Sequence, residues 1–304
     1  MKEPFLHVKP DGVTKRAIQS GAISSENEWG GMVRPHVILM AGEHAPNAEQ
    51  LIKGTGGKIL SVQQNRDQFR YLVGNGRIQY NVLVTGLGAE SVESGLREYC
   101  DALKQAGGRT GFVVRVGSAG GITRGINIGD SFIVKEGLDF SAATTFSHPR
   151  RTHPIPRLIF GNFIPFLKRH LYKNFALSAE LENAAARLNL GAKTGRCVSV
   201  GTFGHFYMRK KNGGIAAVRE EWRKAHAVKS HAKMVEKIGS GAQDMESAAI
   251  AAYIHHAKMN LRYGAVLGIS DHLEKPGEWH PFTPLVNPFM IALESILADA
   301  SIRR

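Results

Sequence analysis

The sequence predicts an α/β fold in one large domain, with a mostly parallel sheet carrying helices on both faces. Three observations lead there. Short β-branched runs alternate with longer segments of helical period, the pattern of repeated strand–helix–strand units. Residues 78–121 spell one such unit, "IQYNVLVTGLG", then "SVESGLREYCDALKQAGG", then "GFVVRVGSAGG". No polar linker divides the 304 residues.

In chain order, residues 1–34 are polar and broken by Gly and Pro, and read as an arm and loops ahead of a domain at 35–304. "HVILMAG" (36–42) is an apolar strand closed by glycine, and "KILSV" (58–62) is a second. After the strand within 78–88, Val92, Leu96, Tyr99, Cys100 and Leu103 recur at helical spacing until Gly107 and Gly108 stop the helix. "DSFIVKEG" (130–137) is a strand, and prolines and basic residues at 149–166 form an irregular connection with one short helix. "FALSAELENAAARLNLG" (175–191) is a helix, and "GRCVSVGTFGHFY" (195–207) is a strand running into an aromatic loop. Residues 216–239 contain helix, and "DMESAAIAAYIHHAKM" (244–259) is an Ala-rich packing helix. "YGAVLGIS" (263–270) is a buried strand leading into "DHLEKPGEWH", and "FMIALESILADASI" closes the chain as a helix.

Apolar residues make up 43%, ordinary for a globular chain. No run approaches the roughly 20 apolar residues a membrane span needs, and "MKEPFLHVKPDG" lacks an apolar signal core, so a cytoplasmic protein is expected. Cys100 and Cys197 lie in apolar contexts without metal-ligand spacing and read as buried free thiols. Lysine plus arginine number 39 against 26 acidic residues, a net +13 that suits anionic ligands, nucleic acid, or merely a basic surface. The basic residues are densest at 150–170 and 209–232, with no zinc-finger spacing, RNP-like stretch or tandem repeat.

In open parallel sheets, ligands bind beyond the carboxyl ends of the strands. Those ends deliver "GLGAES", "RVGSAGG", "GTFGHFY" and "SDH", joined by the helix start "DMES". Arg115, beside Gly117, Ser118, Ala119, Gly120 and Gly121, suits an oxyanion, because small residues let backbone N–H groups approach it. The same stretch also reads as a strand-end turn. Its spacing is neither a P-loop nor a dinucleotide fingerprint. Asp271 reads either as a buried general acid or, with Ser270, as a helix N-cap. Glu246 reads as a carboxylate complementing its own helix dipole or as an acceptor for sugar hydroxyls. Phe206 and Tyr207 stack on a planar ligand or belong to the core.

In their order, "RVGSAGG…GDSFIV", "GHFY", "DMESAAIAA" and "GISDH" resemble the nucleoside phosphorylase and nucleosidase superfamily, from about residue 36 to the C-terminus. The resemblance implies a partly barrel-like mixed sheet and phosphorolysis of a nucleoside to free base and (deoxy)ribose 1-phosphate. By that likeness Arg115 and Ser118 hold phosphate, and Arg66 of "NRDQF" is a second phosphate arginine supplied by a neighbouring subunit. Met245 and Glu246 match the ribose-binding element, Phe206 and Tyr207 the aromatic that packs on base or sugar, and His7 a histidine that reaches a neighbour's ribose. Asp271 matches the acid that protonates a purine leaving group while phosphate attacks an oxocarbenium-like ribosyl carbon. Phosphate is the implied co-substrate, with no cofactor and no metal. The implied assembly is a homodimer or homohexamer with shared sites.

Two departures bear on the chemistry. The family's first phosphate loop carries an arginine where "GEHAPN" (42–47) has Pro46, leaving Lys53 or Arg124 as candidate substitutes. Hydrolysis by water, as in the nucleosidases, is therefore an alternative, and a nucleoside-binding paralogue without catalysis is another. Uridine phosphorylases read uracil with a Gln-x-Arg pair shortly after "FY", whereas here "MRKKNGG" follows, with Arg209 and Lys210 as possible replacements. "SDH" resembles the purine enzymes instead, so purine and pyrimidine both stay open, with Asp271 favouring purine.

Overall fold

The computed structural model describes residues 29, 31–41, 44–65, 68–108, 110–140, 171–200, 239–257, 260–272, 275–280 and 283–302. The N-terminal arm up to residue 28, the connection at 149–166 and the helix expected within 216–239 lie outside the described residues, apart from Gly239.

Strand β1 (His36–Ala41) is buried at every position, as a strand covered on both faces must be. Its alternate side chains serve two cores. Val37 and Leu39 join one apolar cluster, and Ile38 and Met40 the other. Strand β2 (Lys58–Asn65), β3 (Gln68–Gly74) and β4 (Gln79–Thr85) follow helix α1 (Ala45–Gly54). β3 pairs antiparallel with β2 and β4, and β4 runs parallel to β1. Helix α2 (Ala89–Gln105) buries Val92, Leu96, Tyr99, Cys100 and Leu103, the five positions its period picks out. Val92 and Leu96 are fully buried, each stabilising by about 2 kcal/mol.

Strand β5 (Gly111–Gly121) then lies parallel to β1. β6 (Ser131–Phe140), the two-residue β7 (Leu171–Tyr172) and helix α3 (Ser178–Arg187) lead to β8 (Ala192–Val200). β9 (Ser240–Asp244) runs into helix α4 (Ser247–Ala257). β10 (Leu261–His272) and β11 (Lys275–Trp279) precede the final helix α5 (Val286–Ile302).

The eleven strands form one mixed sheet. β5, β10, β6, β8 and β9 close on themselves, because β5 pairs with both β10 and β9. The longest pairings, β5 with β10 and β6 with β8, are parallel. Beyond the barrel, β1, β4, β3 and β2 extend the sheet from β5. Helices α2 and α4 pack on one apolar cluster, and α1, α3 and α5 on the other, which puts helices on both faces as expected. Cys100 and Cys197 are free and buried, and burial pushes both thiols well above their ordinary range. Among the described residues, no helix is long and apolar enough to cross a membrane.

Several strands exceed or escape the sequence reading. β3 is interrupted by Arg70, yet that side chain is buried, ion-paired with Glu98 and stacked 5.0 Å from the Trp29 ring. β9, "SGAQD", has almost no apolar side chain and is held by its neighbours β8 and β5. The helix expected from residue 244 begins at Ser247, because Asp244 still belongs to β9.

Helix and barrel meet with little clearance at Gly268, where a Cβ would fall on the carbonyl oxygen of Pro284. Since backbone must move to admit a methyl group there, Gly268→Ala is expected to destabilise the fold by about 2 kcal/mol or more, measurable by urea unfolding.

Candidate active site

The site begins with an edge shared by two strands. β10 covers one edge of β5 along its length. On the other edge, β1 pairs only as far as Arg115, and β9 takes over only at Gly120 and Gly121. Between them, among the described residues, no strand pairs with β5 on that side. Amides of even-numbered residues face this edge, since Phe112 N–H donates to Pro35 and Ile122 N–H to Gly241. Ser118 is thus the amide that opens into the gap.

Arg115 is 1% exposed. Its Nε donates to Asp244 Oδ2 at 3.2 Å and to Ser247 Oγ at 3.2 Å, and its Nη2 is ion-paired with Glu246. Burial works against the charge, but Glu246 and Asp244 more than offset it and hold the guanidinium above its ordinary pKa. Its third nitrogen, Nη1, is buried with no hydrogen-bond partner among the described residues.

Both carboxylates are themselves fixed. Asp244 accepts from the amide of Ser247 at 2.9 Å and from the hydroxyl of Ser199 at 2.6 Å, while Ser199 Oγ also accepts the Ala248 amide at 2.8 Å. Glu246 Oε1 accepts the amide of Gly88 at 3.1 Å. Gly88 is the N-cap of α2, with φ 88° and ψ 168°, a conformation essentially reserved for glycine. Glu246, whose carbonyl accepts the first backbone bond of α4 from Ile250, therefore also complements the positive end of α2. The "GLGAES" stretch contributes through this backbone amide. Met245 lies half-buried between the two carboxylates.

"RVGSAGG" is neither a turn nor a curled anion nest. All seven residues lie inside β5, and none of its glycines has a positive φ. Their purpose is room. A Cβ on Gly117 would lie 2.8–2.9 Å from the Arg115 guanidinium. On Gly120 it would lie 3.2 Å from Asp271 Oδ1, and on Gly121 2.7 Å from the His272 ring.

Asp271 sits opposite Gly120, and Ser270 donates a hydroxyl hydrogen bond to its Oδ1 at 3.2 Å. No helix starts there. Asp271 lies in β10 and pairs with Trp279 of β11, so the N-cap reading is overturned. The side chain is half-buried rather than enclosed. His272 is buried and anchors to the Thr123 carbonyl at 3.2 Å.

Neither proposed substitute for the missing loop arginine reaches this cluster. Lys53 is exposed and paired with Glu49 at 3.4 Å, seven residues along α1 from Pro46, about 10 Å of helix. Arg124 is exposed beyond the end of β5. Pro46 occupies the first turn of α1, where a missing N–H is harmless. His44 was not anticipated. It is 1% exposed, and its Nε2 accepts the Ser118 amide at 3.2 Å. Its position between a strand end and a helix start was the available signal. His7, Arg66, Phe206 and Tyr207 lie outside the described residues, as do Arg209 and Lys210.

Arg115 is thus joined to Asp244 and Glu246, His44 meets the Ser118 amide, and Asp271 stands beside Gly120 farther along β5. Among the described residues, no group of three or more His, Cys, Asp or Glu side chains could hold a metal ion. A profile of the family described as the Phosphorylase superfamily matches residues 36–289. The chain belongs to the phosphorylase superfamily. Membership supports action on nucleosides, as a phosphorylase or a nucleosidase. A search of curated proteins returned no match.

The ion-paired cluster is also a stability element. Asp244→Ala removes one of the two carboxylates that neutralise the buried guanidinium and the acceptor of two hydroxyls, and is expected to cost about 3–5 kcal/mol, read from the urea midpoint.

Proposed function

We propose that the protein cleaves the N-glycosidic bond of a nucleoside by phosphorolysis, giving free base and (deoxy)ribose 1-phosphate. The observation that carries this reading is the buried Nη1 of Arg115, a charged donor without an acceptor among the described residues. Such a donor is costly unless a ligand satisfies it, and an oxyanion is the fitting ligand.

The layout along β5 orders the remaining parts. Arg115 folds over Gly117, next to Ser118, and Asp271 stands beside Gly120. Gly120, beside Asp271, lies two residues beyond Ser118, a rise of about 7 Å along the strand, the span of a pentose between nucleophile and base. Phosphate lies at Arg115 and Ser118. Glu246, held at Oε1 by the Gly88 amide, is placed to accept from ribose hydroxyls and to favour positive charge developing at the anomeric carbon. Asp271 protonates the departing base, preferably a purine. By the family likeness Met245 helps to seat the ribose, Arg66 and His7 come from a neighbouring subunit of a homodimer or homohexamer, and Phe206 and Tyr207 pack on base or sugar. Phosphate is then the co-substrate, with no cofactor.

Hydrolysis is the second reading, and the charge balance favours it. Arg115 with Asp244 and Glu246 carries a formal −1, which does not by itself attract a phosphate dianion. Phosphorolysis therefore needs Arg66.

A panel of purine and pyrimidine nucleosides, assayed for free base with and without phosphate, separates these readings. Release that depends on phosphate is expected, while equal rates without it would establish a nucleosidase. Arg115→Lys keeps the buried charge but loses the planar fork, and should raise the phosphate KM by about tenfold or more. Asp271→Asn should lower kcat on purine nucleosides by about 100-fold with a smaller change in KM. An unchanged kcat would remove the acid from Asp271.

A further inference from the structure

His44 holds a seat that the proposed chemistry needs. β1 follows β5 residue by residue until Leu39 meets Arg115. Had the ladder continued, the chain at residue 42 would have faced Ser118. Instead β1 has ended, α1 has begun, and the first β5 amide beyond the ladder donates to an imidazole nitrogen at 3.2 Å. A backbone N–H can only donate, so in this contact the imidazole Nε2 is the acceptor.

From this geometry, and resting on the phosphorolysis reading, we infer that His44 is a specificity residue on the nucleophile side, an internal acceptor occupying the place of a phosphate oxygen on the Ser118 amide. A buried amide needs an acceptor at all times. Arg115 has its guanidinium over Gly117, the residue before Ser118, so the amide and Nη1 belong to one oxyanion cradle. An anion using the whole cradle must displace the imidazole. His44 thereby weakens phosphate binding without touching the sugar or base. Pro46 removes a cation from the same loop, and His44 adds a competitor to it.

The inference sets a direction for the variant. With the competitor removed, His44→Ala should lower the phosphate KM by about fivefold, the worth of one hydrogen bond. The nucleoside KM should not follow, so the ratio of the two constants rises. His44→Gln retains an acceptor oxygen and should keep the phosphate KM within about twofold of the parent. A phosphate KM that rises in His44→Ala would mean that the imidazole helps to bind phosphate, and a KM that stays put would mean it is only structural. Either result overturns the inference.

Binding of inorganic phosphate without nucleoside, followed by calorimetry and by the ¹⁵N resonances of the His44 ring, separates this from failure of the phosphorolysis reading. Base release independent of phosphate would defeat that reading. Tighter phosphate binding by His44→Ala than by the parent would still uphold the inference, and equal or weaker binding would overturn it. A His44 Nε2 resonance that moves on saturation with phosphate is the expected signature. One that stays fixed while phosphate binds would place the anion elsewhere.

Discussion

A guanidinium removed from water must be neutralised and hydrogen-bonded, and Arg115 imposes that requirement on everything around it. Asp244 and Glu246 lie at the junction of β9 and α4 because that junction supplies its carboxylates. Gly117 lacks a side chain because the guanidinium lies against it. Gly88 adopts its unusual backbone where its amide holds Glu246 in place. Ser199 and Ser247 fix Asp244 in turn. One charge thus organises three strands and the starts of two helices. The same buried guanidinium keeps one nitrogen, Nη1, without an acceptor among the described residues, so the group that holds these elements together is also the one on which the proposed chemistry rests.

Topology supplies the opening. A closed barrel satisfies backbone groups on both sides of each strand and ordinarily leaves nothing for a ligand. Here β1 and β9 divide one edge of β5 and, among the described residues, leave a gap between them. The gap arises because β1 belongs to the outer extension of the sheet while β9 belongs to the barrel. Divergence of two neighbours is the general origin of binding crevices in parallel sheets, and it places Ser118 where main-chain hydrogen bonding is available to something other than a strand.

Much of this was legible in the sequence, and the exceptions have physical reasons. The period of α2 marked its buried face residue by residue, since a long amphipathic helix overdetermines its own pattern. β3 was hidden because Arg70 interrupts its apolar run, and only Glu98 and Trp29, distant in sequence, make that burial tolerable. β9 was hidden because pairing with β8 and β5 holds it, with little help from apolar side chains. At the site, Arg115, Ser118, Glu246 and Asp271 stood out as polar residues at strand ends. The cap expected at Asp271 failed because β10 runs on to pair with β11. His44 escaped notice because its role depends on where β1 stops relative to β5, a relation between strands that no local pattern encodes.

The glycines of β5 are shaped by side chains around them. Gly120 is small because Asp271 stands beside it, and Gly121 because His272 does. Each glycine and its neighbour therefore share one volume, so a side chain added at one must be met by a change in the other. A smaller residue at 271 would release the constraint on Gly120, and a side chain at 121 would have to move or shrink His272. The "GG" of the strand and the "DH" that ends β10 thus fill one shared volume, so the two pairs of positions constrain each other's size.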